Sequence, residues 1–262
     1  MKVLVTFAVP AEFAPWRARH SFHRVADKFL TCYEADIADA KIMVLLTGVG
    51  GDFAAARVRM VMSPELGKRK FKFCVSTGLA GALRAEHRPG DVLVAHGVQA
   101  ETVRHAGASN EVFGDAELGI LAVDCGAKLV GRFHTSSRIV QTSTAKTALG
   151  SMADAVEMES FDIFREAQAW GSRSVAIRAI SDSVTEDLPI DFSKTLTKLG
   201  EVSVSRLVLE IARRPNRLPS LVRFGRQSRR AATALADFLD RYVGGLGAVG
   251  LPRTPQREVV AV

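Results

Sequence analysis

Residues Ala155 to Ser183 read AVEMESFDIFREAQAWGSRSVAIRAISDS. Val156 to Trp170 reads as helical, and Ser174 to Ser181 is a short apolar run that predicts a strand. A strand with no polar face needs cover on both sides, so a helix followed directly by such a strand is the unit of an α/β fold. Two carboxylates stand at the ends of these elements. Glu159 falls in the first turns of the helix, and Asp182 falls just past the strand, where the sites of α/β sheets gather. Glu157 and Glu159 point to different sides of a helix, and one of the two reads as solvated or as a capping partner. For Asp182 the plain alternative is an N-cap, although Glu186, Asp187 and Pro189 make the following residues a loop.

The alternation extends outward in both directions. Lys2 to Ala8 is a β-branched strand ended by Pro10, and Glu12 to Arg19 starts a helix, since proline is tolerated in a first turn. Phe29 to Ala35 and Lys41 to Thr47 predict strands. The turn TGVGG (Thr47 to Gly51) leads into an alanine-rich helix from Asp52 to Met62. Phe71 to Ser76 is another apolar strand, followed by TGLAGAL (Thr77 to Leu83), and Asp91 to Val98 is a strand opened by Pro89-Gly90. Leu118 to Ala127 reads as a helix, Arg138 to Gln141 as a short strand, and Thr144 to Leu149 as a short helix or turn. Phe192 to Arg213 reads as a helix with Leu196, Val202, Leu207 and Ile211 inward. Pro215 and Pro219 break it, and a further helix runs from Ser220 to Tyr242.

The expected fold is α/β: a central mixed, largely parallel twisted sheet flanked by helices. Residues 1–213 form one domain, 214–243 a basic helical extension, and 244–262 a flexible tail without periodicity.

A chain of 262 residues that is 47% hydrophobic and 24% charged suits one large soluble domain. No apolar run approaches the ~20 residues of a membrane-spanning helix. The opening MKVLVTFAVPAEF has no small-residue cleavage site, so it reads as a strand and not as a signal peptide. Cys32, Cys74 and Cys125 are odd in number and far apart, which argues against disulfides and zinc and fits a reducing cytoplasm. Cys74, inside an apolar strand, reads as a buried inert thiol. The net charge of +7 raises nucleic acid as a partner. The excess crowds into Arg213, Arg214, Arg217, Arg223, Arg226, Arg229 and Arg230. No nucleic-acid module accompanies it, so a solvated helix face is the leading reading.

TGVGG could set backbone N–H groups against an anion or a ribose hydroxyl, or serve only as a tight turn. It lacks the lysine of a triphosphate loop and the spacing of a dinucleotide fingerprint. The small residues of TGLAGAL let a backbone pass close to a ligand or a neighbouring strand. Glu12 follows the first strand, so Glu12, Glu159 and Asp182 stand at three separate element ends, a plausible acid–base set. No histidine has metal-ligand spacing to another, and no serine sits in a nucleophile elbow; neither a metal nor a cofactor is expected.

The order of these segments resembles the purine nucleoside phosphorylase and nucleosidase superfamily, and within it the 5′-methylthioadenosine/S-adenosylhomocysteine nucleosidases. The resemblance rests on the first strand with Glu12, TGVGG, STGLAGAL at Ser76 to Leu83, GDVLVA at Gly90 to Ala95, AVEMES and RAISDS at Arg178 to Ser183. The last two, in order and at this separation, are the most specific. The resemblance implies that Glu159 holds the ribose hydroxyls, that Met158 packs under the sugar, and that Asp182 protonates or hydrogen-bonds purine N7. It implies that Glu12 activates water and that the backbone at Ile139 and Val140 contacts the base. Thr77, Gly78 and Ser181 complete the implied substrate-binding set, and a homodimer is implied.

Phosphate is the alternative nucleophile. Phosphorylases of this superfamily, the hopanoid-associated type included, share parts of the pattern, and Arg57, Arg59 or a partner residue could serve phosphate. Many of them carry a Gly-Asp-Pro-x-Arg turn and a further arginine that are missing here, and with Glu12 this favours water. A binder of nucleosides or nucleic acid that has lost turnover is the reading outside enzymes. Leu79 and Val9 depart from the usual nucleosidase residues and leave the 5′ substituent open.

Overall fold

The computed structural model describes residues 1–63, 70–101, 109–197, 200, 203–213 and 215–249. Strand β1 (Lys2–Phe7) buries Val3, Leu4 and Val5 completely, as a strand covered on both faces must. It lies between β4 (Ala40–Leu46) and β5 (Phe73–Ala82), parallel to both. Strand β10 (Arg173–Asp182) runs parallel to β5 on the other side. Beyond it come β6 (Val92–Ala100), β8 (Lys128–Thr135) and β9 (Ala155–Glu157), and β9 returns to pair with the far end of β5. Five strands thus close a ring, while β3 (Thr31–Ile37) and β2 (His23–Arg24) extend the sheet past β4. The three-residue β7 (Glu111–Phe113) edges β6. The sheet is mixed as expected. It is less parallel than expected, because the β2–β3, β3–β4, β6–β7, β5–β9 and β6–β10 pairs are antiparallel.

The helices are α1 (Pro10–Arg17), α2 (Gly51–Met62), α3 (Ala116–Asp124), α4 (Ser143–Leu149), α5 (Ser160–Ala169), α6 (Val204–Arg213) and α7 (Leu218–Gly245). Helices α2 and α5 cover one face of β1 and β5, burying Val58, Val61, Ile163 and Ala167. Helices α1 and α7 cover the other with Phe13, Trp16, Leu235, Phe238 and Leu239. The two are clamped where Trp16 Nε1 donates to Asp240 at 2.7 Å and Arg19 pairs with Asp237 and Asp240.

Several expectations are corrected. The helix read from Val156 begins only at Ser160, and the residues before it form β9, because Val156 is needed opposite Gly81 in the sheet. Residues 138–141 form no strand. The strand expected to end at Ser76 runs on through TGLAGAL to Ala82, where glycine and alanine let β10 and β9 pass close on either side. Phe192 to Arg213 is not one helix, for a 3-10 turn at Phe192–Thr195 precedes α6. Leu196 is half-buried; Val202 and the side chains of Leu207 and Ile211 lie outside what is described. The stretch 214–243, read as an extension, is core from Ala231 onward, with Leu235, Phe238, Leu239 and Tyr242 wholly buried. Its apolar positions recur on one helical face, which the surrounding arginines mask in composition. Of the expected flexible tail, residues up to Val249 pack against the protein, with Leu246 buried; residues 250–262 lie outside those described. Cys74 is buried as expected, and burial pushes its thiol up to about 12.

Candidate active site

A cavity of about 260 Å³ opens at the carboxyl ends of β1, β5 and β10. That is at the small end for a small-molecule site. Glu12, Met158, Glu159, Ser181 and Asp182 all line it, as do Ile139 and Val140. Three separate parts of the chain therefore deliver the expected carboxylates to one space. Thr77 and Gly78 do not line it. Thr77 is buried within β5, and Gly78 acts from behind.

Pro10 opens α1, and Glu12 reaches back over the first turn. Its Oε2 accepts N–H bonds from Ala8 at 2.9 Å and Val9 at 3.2 Å, and its Oε1 accepts one from Leu79 at 2.9 Å. Burial raises its pKa, against the pull of these donors and of Arg178. Gly78 makes room for this carboxylate. Its φ is +144°, and a Cβ there would sit 3.1 Å from both Glu12 oxygens.

Glu159 caps the start of α5, and its carboxylate accepts the Gly50 N–H at 2.8 Å. The TGVGG turn thus spends a backbone donor on a carboxylate of the protein itself. Burial, with the neighbouring Glu157 second, pushes Glu159 up to about 8. Glu157 behaves oppositely. Burial works against its charge, but Arg178 and the Thr135 hydroxyl hold its pKa below the ordinary value. Arg178 Nη2 donates to Glu157 at 2.7 Å, to Ser160 Oγ at 2.8 Å and to Ser76 Oγ at 3.2 Å, all buried. Glu157 Oε2 in turn accepts the N–H groups of Glu159 at 3.0 Å and Ser160 at 2.7 Å. Glu157 is therefore the capping partner that the sequence allowed and not a solvated residue; it fixes the turn that carries Glu159.

Asp182 ends β10 just past a register shift in the pairing with β5, the kind of irregularity that re-aims a side chain. Ser181 Oγ donates to its Oδ1 at 2.6 Å. The other oxygen, Oδ2, pairs with the ammonium of Lys146 on α4. Lys146 is wholly buried, and its two further bonds go to the carbonyls of Ser183 at 3.0 Å and Glu186 at 2.7 Å. Gly81 leaves the space for Asp182: a Cβ there would lie 3.0 Å from Oδ2.

Sequence reasoning missed Lys146, Arg178 and the apolar rim formed by Leu188, Phe192, Leu196 and Phe224. Arg178 was detectable, as a charge among buried β-branched residues of VAIRAIS. Nothing local distinguishes Lys146 from a surface lysine. Neither arginine considered for phosphate lines the cavity. Arg57 hydrogen-bonds the Thr47 carbonyl, and Arg59 pairs with Glu166 at the surface. The cationic residue on the cavity wall, among those described, is Arg138, whose side chain is 83% exposed and lies 3.9 Å from Glu101. Sequence spacing also missed a cluster of Glu86, His87 and Asp154. Arg84 sits 3.3 Å from Asp154, so a cation already serves that carboxylate.

The family model described as the phosphorylase superfamily matches residues 2–213. The chain belongs to the phosphorylase superfamily. Solved structures of similar fold cover nearly all of this superfamily member. A 5′-methylthioadenosine/S-adenosylhomocysteine nucleosidase from Helicobacter pylori aligns at a TM-score of 0.71 and 18% identity, covering 94% of this chain and 99% of that one. The corresponding nucleosidase from Neisseria meningitidis gives 0.69 and 20%, covering 94% and 99%. A futalosine hydrolase mutant from Helicobacter pylori gives 0.70 and 16%, covering 94% and 100%. At these identities the likeness is one of fold. No curated protein sequence matches.

Proposed function

We propose that this superfamily member hydrolyses the N-glycosidic bond of an adenine-type purine nucleoside. The observation that carries the reading is the convergence of Glu12, Glu159 and Asp182 on one cavity, each held by its own set of donors. The C1′–N9 bond breaks with its electron pair leaving on the purine, and positive charge develops on the ribose. Glu159 grips the ribose hydroxyls, and its negative charge stabilises that transition state. Met158 packs beneath the sugar.

The purine needs a proton at N7 to leave. Asp182 is already partnered by an ammonium, so the Lys146–Asp182 pair supplies that proton together: it passes from Lys146 through the carboxylate to N7. Water adds to C1′, and Glu12, whose pKa burial raises above the ordinary carboxylate value, takes the proton from it. Water rather than phosphate fits a cavity whose cationic wall residue is an exposed arginine beside a carboxylate.

The rim of Leu188, Phe192, Leu196 and Phe224 suits the apolar 5′ methylthio group of methylthioadenosine, or the thioether carbons nearest the ribose in S-adenosylhomocysteine. A second hollow shares Arg138, Ile139 and Val140 with the cavity and includes the exposed Met152. In this reading the protein is a cytoplasmic homodimer, and that hollow is a candidate seat for the second copy beside the cavity.

Adenine release from methylthioadenosine, S-adenosylhomocysteine and adenosine, followed chromatographically in phosphate-free buffer, tests the reading. The wild-type chain should release adenine from at least one of them, and Asp182→Asn should lower turnover by about 10²-fold or more. Near-normal turnover in that variant would sink the mechanism.

A further inference from the structure

Helix α7 has two unlike halves. From Ala231 onward it is core. From Leu218 to Arg230 it shows solvent Leu218, Val222, Arg223, Arg226, Arg229 and Arg230. At 3.6 residues per turn these six fall within a sector of about 140°, and Leu221, Phe224, Gln227 and Ser228 fill the opposite side. Leu218 is 48% and Val222 45% exposed, and Val208 and Leu209 on the preceding α6 are 58% and 49% exposed. Between Glu210 and Asp237 the chain has seven arginines and no acidic residue. Arg223 lies 3.6 Å from Glu186.

We propose that this face docks on an anionic lipid bilayer. Guanidinium groups interleaved with exposed branched apolar side chains fit a headgroup layer, which offers negative charge and, a few ångströms deeper, acyl chain. A nucleic-acid backbone would satisfy the arginines but leave Leu218, Val222, Val208 and Leu209 without a use. None of the helices is long and apolar enough to cross a membrane among the described residues, so the face lies on the surface. On the inward side of the same helix Phe224 packs against Phe192, ring centroids 5.2 Å apart, at the cavity rim. Docking would bring that rim to the membrane interface.

Co-sedimentation of the full chain with vesicles tests this directly. The chain should bind vesicles rich in phosphatidylglycerol, bind pure phosphatidylcholine weakly, and dissociate as salt is raised. The triple variant Arg226→Gln, Arg229→Gln, Arg230→Gln should bind on the order of 100-fold more weakly, and the same three changed to Lys should retain binding. Leu218→Ser with Val222→Ser should also weaken binding, at unchanged charge and with purine release from a soluble nucleoside unaffected. Failure to bind the anionic vesicles would overturn the proposal. So would wild-type vesicle binding by the Leu218/Val222 variant together with equally tight binding to a DNA duplex, which would assign the face to nucleic acid.

Discussion

The ammonium of Lys146 and the carboxylate of Asp182 form a buried ion pair, with the remaining donors of the lysine spent on the carbonyls of Ser183 and Glu186. The residue proposed to serve the leaving group is therefore one half of a charged couple. Its partner comes from α4, 36 residues earlier in the chain.

Lys146→Met should cost about 3–5 kcal/mol of stability, because it strands a buried carboxylate. Combining it with Asp182→Asn should return most of that stability, since both charges go together. It should not return turnover. Denaturation midpoints and adenine release on the four proteins of this cycle separate the two effects. A double variant that regained both would show that the couple serves folding alone.

Glu159 sets a pH dependence. Its pKa in the folded chain, about 8, lies above the ordinary 4.5, so the folded state holds an extra proton between those values. The stability this contributes is fully present below about 4.5 and is lost as pH rises through about 8. Glu12 adds in the same direction. Glu157 has the opposite sign, with stability present above 4.5 and lost as pH falls through its depressed pKa. Glu159→Gln should therefore flatten the fall of Tm between about pH 4.5 and 8.

The role proposed for the same group gives the rate a pH signature of its own. If the ionised form grips the ribose, kcat/KM of the free enzyme rises with pH toward a limb near 8. Glu159→Gln should remove that limb and lower kcat/KM by about 10²-fold. An unchanged limb in the variant would assign the titration to another group.

Gly78→Ala places a methyl 3.1 Å from both Glu12 oxygens on a backbone at φ +144°. The strain should cost about 1–3 kcal/mol. Turnover should fall further than the folded fraction does, because Glu12 must move. Activity per folded molecule, measured at a temperature well below the variant's Tm, checks this. A variant that is destabilised but fully active per folded molecule would relieve Glu12 of its role.

The fold was legible where a pattern is local. The apolar runs of β1, β4 and β10 named a buried sheet, and AVEMES with RAISDS placed Glu159 and Asp182 on one site. Sequence misled where tertiary contacts decide. Val156 could continue a helix or pair with Gly81, and only the presence of β5 settles it. The apolar run ends at Ser76 in sequence, yet the small residues of TGLAGAL are what let β5 run on between β10 and β9. Ala231 to Val243 hides its core face among arginines of the same helix. Lys146 was invisible for a different reason: its meaning lies entirely in a carboxylate that the fold, not the sequence, brings to it.

The central claim, that water is the nucleophile and attacks C1′, is tested most directly by isotope transfer. A nucleoside turned over in H₂¹⁸O with phosphate present should yield a free sugar carrying one ¹⁸O at C1′, read by mass spectrometry early in the reaction. Glu12→Gln should abolish that product. A sugar 1-phosphate without ¹⁸O, formed in proportion to added phosphate, would contradict the account.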